Sequence, residues 1–200
     1  MSVMESILTE AGSLPEGSVL NARTLSHLGE RGALDQAFSR LAREGRLIRA
    51  ARGLYVHPVQ GRFGVRPPSP AKVAERLAEA TGEPVLPAGA AEANRLGLTT
   101  QVPVREVFVT TGAARKLKLG ARTLEIQHAP KWQTVLPGTE AGAAVRALAW
   151  LGKREVGRAA ARLHASLPQS EWKALIGIRS YLPAWMAASI GVEMRGQRVA

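Results

Sequence analysis

The residues best suited to chemistry in this chain are Asp35, Gln36, Ser39, Arg40 and Arg43. Gln36 can form a bidentate pair with adenine, Arg40 or Arg43 can do so with guanine, and Ser39 can bond to a base or a phosphate. Their spacing places them along one side of a helix expected over Ala33 to Glu44. In that helix Leu34, Ala37, Phe38, Leu41 and Ala42 recur at the interval of a buried stripe. Arg31 before the helix and Arg49 and Arg52 after it are placed to hold phosphates, which sets register without reading sequence. From Arg31 through Arg66, eight arginines (31, 40, 43, 46, 49, 52, 62, 66) stand against Asp35 and Glu44, a local net charge of +6. Any amphipathic helix has a polar face, and Arg-Gly turns are common. It is the conjunction of stripe, stop signal, hairpin and clustered charge that points to DNA. Asp35, the only aspartate, is read as complementing the positive end of its helix.

The elements that must position these residues are short. Val3–Ala11 reads as a helix with Val3, Ile7 and Leu8 on one face. Gly17–Leu20 reads as an apolar run, and Asn21 as the cap of a second helix reaching Leu28. Gly29–Gly32 makes a tight turn into the third helix, with Arg31 in the turn, and Gly45 stops that helix. Arg46–Ala50 and Leu54–His57 then read as strands about the turn Ala50–Gly53. Helix, strand, helix, turn, helix and hairpin in this order make a winged helix-turn-helix, whose third helix enters a major groove while the hairpin touches the backbone or minor groove.

Composition bounds the rest. Hydrophobic residues are 46% and charged residues 22% of 200, enough apolar surface for a packed core in one ordinary domain or two small ones. A net charge of +11 favours a polyanion, either nucleic acid or an acidic protein. The excess of Arg over Lys fits bidentate phosphate recognition and fits a GC-rich codon bias equally well. With no cysteine, disulfides and thiolate chemistry are excluded, in keeping with a reducing compartment. The first residues, MSVMESILTEAG, lack the basic head and apolar run of a secretory signal, and Ala174–Val192 is interrupted by Arg179 and Pro183, so a cytoplasmic location is expected.

Gly61–Pro70 carries three prolines without either structural period and reads as a linker. The expected organisation is therefore α+β: residues 1–60 a winged helix-turn-helix, 61–70 a connector, and 71–200 a small mixed α+β domain with a helical C-terminal part. In that second domain Pro70–Thr81 and Ala90–Leu96 read as helices and Val104–Thr110 as a strand buried on both faces. Leu117–Gly120 with Thr123–His128 read as a hairpin, followed by helices over 141–151, 154–165, 169–176 and 183–190. A basic run on that hairpin, Arg115, Lys116, Lys118, Arg122 and Lys131, can extend a DNA footprint, hold an acidic toxin surface or simply protect a strand edge. Trp132, Trp150, Trp172 and Trp185 are expected to fill the core.

No catalytic pattern accompanies these features. One Asp and scattered Glu do not supply paired carboxylates for Mg²⁺, and His27, His57, His128 and His164 are far apart in sequence. Gly152-Lys153 lacks the earlier glycine of a phosphate loop. Neither an enzyme nor a cofactor or metal site is expected.

The block GALDQAFSRLAREGRLIRAARGLYVHP, residues 32–58, resembles the winged-helix segment of AbiEi-type antitoxins, in which a similar run leads into RGLY. TTGAARKLKLGARTLEIQHAP, residues 110–130, and LPAWMAASI, residues 182–190, are loosely similar to the C-terminal region of the same group. The resemblance implies a type IV toxin–antitoxin role: repression of its own operon through operator repeats, and opposition to a nucleotidyltransferase-type toxin. Carried over by position, the family's basic helix and wing residues fall on Arg31, Arg40, Arg43, Arg49 and Arg52, while Glu30-Arg31 departs from the small polar residue expected beside the basic one. A stand-alone winged-helix regulator or a protein-interaction adaptor without a toxin is the alternative.

Overall fold

In the computed structural model, residues 2–62 and 64–196 are described; they form a mixed α+β protein with seven α-helices and small sheets. In chain order the elements are α1 (Val3–Ser13), β1 (Val19–Leu20), α2 (Arg31–Arg43), β2 (Ile48–Ala51), β3 (Leu54–Val56), β4 (Val59–Gly61), β5 (Gly64–Arg66) and α3 (Pro70–Thr81). There follow β6 (Val85–Pro87), α4 (Gly89–Arg95), β7 (Glu106–Thr110), β8 (Arg115–Leu119), β9 (Arg122–His128), α5 (Glu140–Ser166), α6 (Gln169–Gly177) and α7 (Ala184–Gly196). None of the described helices is long and apolar enough to cross a membrane.

The chain divides into two compact units, one holding the residues up to Val85 together with Ala114–Ile126, the other Leu86–Ala113 with the residues from Gln127 onward. The first unit closes around Ile7, Leu20, Leu34, Phe38, Leu41, Leu47 and Tyr55, all buried. Ser2 and Glu5 begin α1 reciprocally: the Ser2 hydroxyl accepts from the Glu5 amide at 3.3 Å and the Glu5 carboxylate from the Ser2 amide at 2.7 Å. The expected second helix does not form. The Asn21 side chain accepts from the Arg23 and Thr24 amides at 2.8 and 3.0 Å, closing a turn, and only Ser26–Leu28 becomes a short 3₁₀ helix. β1, β3 and β2 form an antiparallel sheet in that order, with Leu20 opposite Tyr55 and Arg49 opposite Tyr55 on its other side.

The stretch read as a linker lies inside this unit. Val59–Gly61 pairs with Gly64–Arg66 as a hairpin, and Ser69 caps α3 by accepting from the Lys72 amide at 3.2 Å, with Pro70 at the first helical position. The Glu16 carboxylate ties the stretch down, accepting from Arg66 Nη1 at 2.9 Å, Arg66 Nη2 at 3.2 Å and the Ser69 amide at 2.9 Å. Gly17, at φ 90°, leaves no room for a side chain, since a Cβ would stand 2.5 Å from the Lys72 carbonyl carbon.

The second unit is mainly helical. α4 lies on α5 where Gly89 meets the Arg146 backbone and the Trp150 Cβ. Arg146 is 3% exposed; its Nε donates to the Pro87 carbonyl at 3.0 Å and its Nη2 to Glu92 at 2.7 Å. Glu92 also accepts from Arg95 at 2.9 Å, and Arg95 reaches Glu140 at 2.7 Å. α5 breaks at Gly152, φ 74° and ψ −178°, in the gap between the two helices expected there. Its two halves pack with α6 and α7 through Leu148, Leu163, Trp172, Leu175, Met186 and Ile190. Two expectations need correction. Trp150 is 44% exposed rather than core, with its Cβ against Gly89. The strand expected from Val104 begins at Glu106, and Val104 lies fully in solvent.

Candidate nucleic-acid interface

α2 carries the residues singled out by their chemistry. Leu34, Ala37, Phe38 and Leu41 are buried, and Asp35, Gln36, Ser39, Arg40 and Arg43 are exposed on the opposite side. Gly45, φ 72°, ends the helix, with its own amide donating to the Ala42 carbonyl at 3.2 Å and the Arg46 amide to the Leu41 carbonyl at 2.9 Å. The helix starts at Arg31, two residues earlier than expected. Arg31 is thus its first residue rather than part of the turn. Asp35 lies beyond the first turn and approaches Arg31 at 3.9 Å instead of complementing the helix end.

Phe38 fixes the helix to the hairpin. Its ring stacks on Tyr55 of β3 with centroids 4.8 Å apart and planes 11° from parallel. β2 bulges between Arg49 and Ala51, and the chain turns through Arg52 and Gly53, the latter at φ 71°. Arg49 and Arg52 are exposed. Arg43, Arg49 and Arg52 make no ion pair among the described residues. Arg40 does: its Nε donates to Glu44 Oε1 at 2.9 Å, one helical turn away, which holds the guanidinium along the helix.

The second basic group is split. β8 and β9 pair as the expected hairpin, with Lys116 opposite Glu125 and Lys118 opposite Thr123. Lys116, Lys118 and Arg122 are exposed and Arg115 is half-buried. Lys131 is not on the hairpin; it begins a 3₁₀ turn, Lys131–Gln133, in the other unit. Local patterning predicts the hairpin but carries no signal that it joins the first unit, since that membership comes from long-range packing of β8 against β2.

These features define a mixed α+β protein with a helical C-terminal region and an exposed, arginine-bearing helix stacked on a basic hairpin. Residues 6–174 match DUF6088, a family of unknown function, and the chain belongs to that family. No curated protein and no solved structure matches it.

Proposed function

We propose that this protein is a double-stranded-DNA-binding repressor of winged helix-turn-helix type. α2 reads bases through Gln36, Ser39, Arg40 and Arg43, while Arg31, Arg49 and Arg52 grip phosphates. The observation that carries this reading is the Phe38–Tyr55 stack. It seats the buried side of α2 on the hairpin sheet, so that the polar side of the helix is left facing solvent beside exposed Arg49 and Arg52. Such a helix, about 10–12 Å across with its side chains, matches the width of a B-DNA major groove.

From the resemblance of residues 32–58 to AbiEi-type antitoxins we further propose that the protein represses its own operon and counters a nucleotidyltransferase-type toxin of a type IV system, acting in the cytoplasm. In this reading it is no enzyme and needs no cofactor or metal. The second unit would carry the antitoxin or protein-arranging role. Nuclease footprinting on DNA upstream of its own gene, with co-expression of any adjacent nucleotidyltransferase-like frame, tests both parts. Protected repeats and rescue of growth are expected. Protection without rescue leaves a stand-alone regulator, and no protection at all removes the DNA-binding role in favour of a protein adaptor.

A further inference from the structure

We propose that the β8–β9 hairpin is a second phosphate-binding ridge, continuing the DNA contact that begins on the β2–β3 hairpin; this rests on the DNA-binding reading above. Alternation alone leaves three roles open for its basic residues: DNA contact, an acidic protein surface, or protection of a strand edge. Placement selects among them. Residues 114–126 belong to the first unit, and β8 packs against β2, the strand that bears Arg49. β8 is an end strand of its sheet, so its lysines also keep that edge from pairing with another chain; phosphate contact is what its place against the strand of Arg49 adds.

The hairpin is built to present lysines. Leu117, Leu119, Leu124 and Ile126 are buried, and the alternation turns Lys116 and Lys118 outward. Lys118 faces Thr123 across the ladder and has no acid opposite it. Lys116 has Glu125 at 3.7 Å, but with 71% of its side chain exposed it stays free to reach an anion. The turn is seated as well: Gly120, φ 65°, lies so close to Pro67 that a Cβ would come within 2.8 Å of the ring. The ammonium groups therefore stand on a fixed ridge.

Ammonium groups on flexible stems act as point charges and suit contact with a backbone rather than with base edges. An acidic protein surface would also attract two lysines, yet nothing about it requires them beside the arginines of another hairpin. A phosphate backbone accounts for that neighbourhood, because its charges recur along the duplex and give successive partners to the cations of two packed strands.

The test titrates the full chain with a 30-bp mixed-sequence duplex over a range of salt, and separately with poly-L-glutamate. Lys116→Gln/Lys118→Gln should weaken duplex binding about tenfold at low salt and reduce the slope of log affinity against log salt by about one to two, at an unchanged melting temperature. Lys118→Glu alone should weaken binding at least as much as Lys118→Gln. Duplex affinity and slope equal to the wild type would overturn the proposal, as would loss of poly-L-glutamate binding with duplex binding intact. If the lysine variant is unchanged while Arg49→Gln/Arg52→Gln is weakened, the ridge alone is refuted and the DNA-binding reading stands. Absence of salt-dependent duplex binding by the wild type refutes both.

Discussion

Phe38 of α2 and Tyr55 of β3 lie ring on ring, 4.8 Å between centroids and 11° from parallel, and both are buried. Through this contact the angle of the exposed helix is tied to the hairpin. Phe38→Ala removes the stack and leaves a cavity among Leu34, Leu41 and Leu47, at an expected cost of about 3–5 kcal/mol. Phe38→Leu keeps much of the volume and should cost less. Chemical denaturation of the two variants checks the order.

Base reading and phosphate gripping should separate by mutation. On a site selected from a random duplex library, Arg40→Ala and Gln36→Ala are expected to lose about 1–3 kcal/mol while scarcely changing binding to mixed DNA. Arg52→Ala should weaken both alike. Equal losses on every sequence from all three variants would mean that α2 does not read bases.

Glu44 accepts from Arg40 Nε, and in the proposed reading the terminal nitrogens of Arg40 contact a base. Glu44→Gln takes away a negative charge near the duplex and loosens the arginine. Affinity for mixed DNA should rise and the ratio of selected-site to mixed-DNA affinity should fall, measured by competition binding. A ratio that stays constant would show that Glu44 does not orient Arg40.

Acid should weaken the anchoring of the stretch after β5. The Arg66 guanidinium, and then the Ser69 amide, hold the Glu16 carboxyl below its ordinary value. A carboxylate depressed in the folded state binds fewer protons than in the unfolded chain, so its contribution is present at neutral pH and is lost as pH falls through the carboxylate range. Glu16→Gln should therefore lower the melting temperature at pH 7 and have little effect near pH 3. An equal drop at both pH values would contradict this origin.

In the second unit Arg146→Ala leaves Glu92, 4% exposed, with only Arg95 for a partner among the described residues. Removing one member of a buried pair typically costs about 3–5 kcal/mol. Arg146→Met, which keeps some of the volume while losing the charge, should be similarly destabilised, because Glu92 remains buried. Thermal melts of both variants check this.

Where one element's own residues decide its form, the sequence is readable. The stripe from Leu34 to Leu41, the stop at Gly45 and the hairpin after it follow from spacing and turn chemistry, as does α3 between Ser69 and Gly82. The expected helix after Asn21 was lost to competing side-chain bonds to the local backbone. β4 and β5 are only three residues each and lie mostly exposed, so they carry no alternation to detect. The return of residues 114–126 to the first unit, like the burial of Arg146 against Glu92, depends on contacts between distant parts of the chain that no local period encodes. The outward face of α2 was legible residue by residue. That Glu44 engages Arg40 through Nε is set by side-chain rotamers, which spacing alone does not specify.

The central claim, that the first unit grips a DNA backbone, is tested most directly by measuring duplex affinity of the intact protein from low to physiological salt. If about four to seven phosphates are neutralised, log affinity should fall against log salt with a slope of roughly −4 to −6. A flat line, or no binding at low salt, would contradict the account.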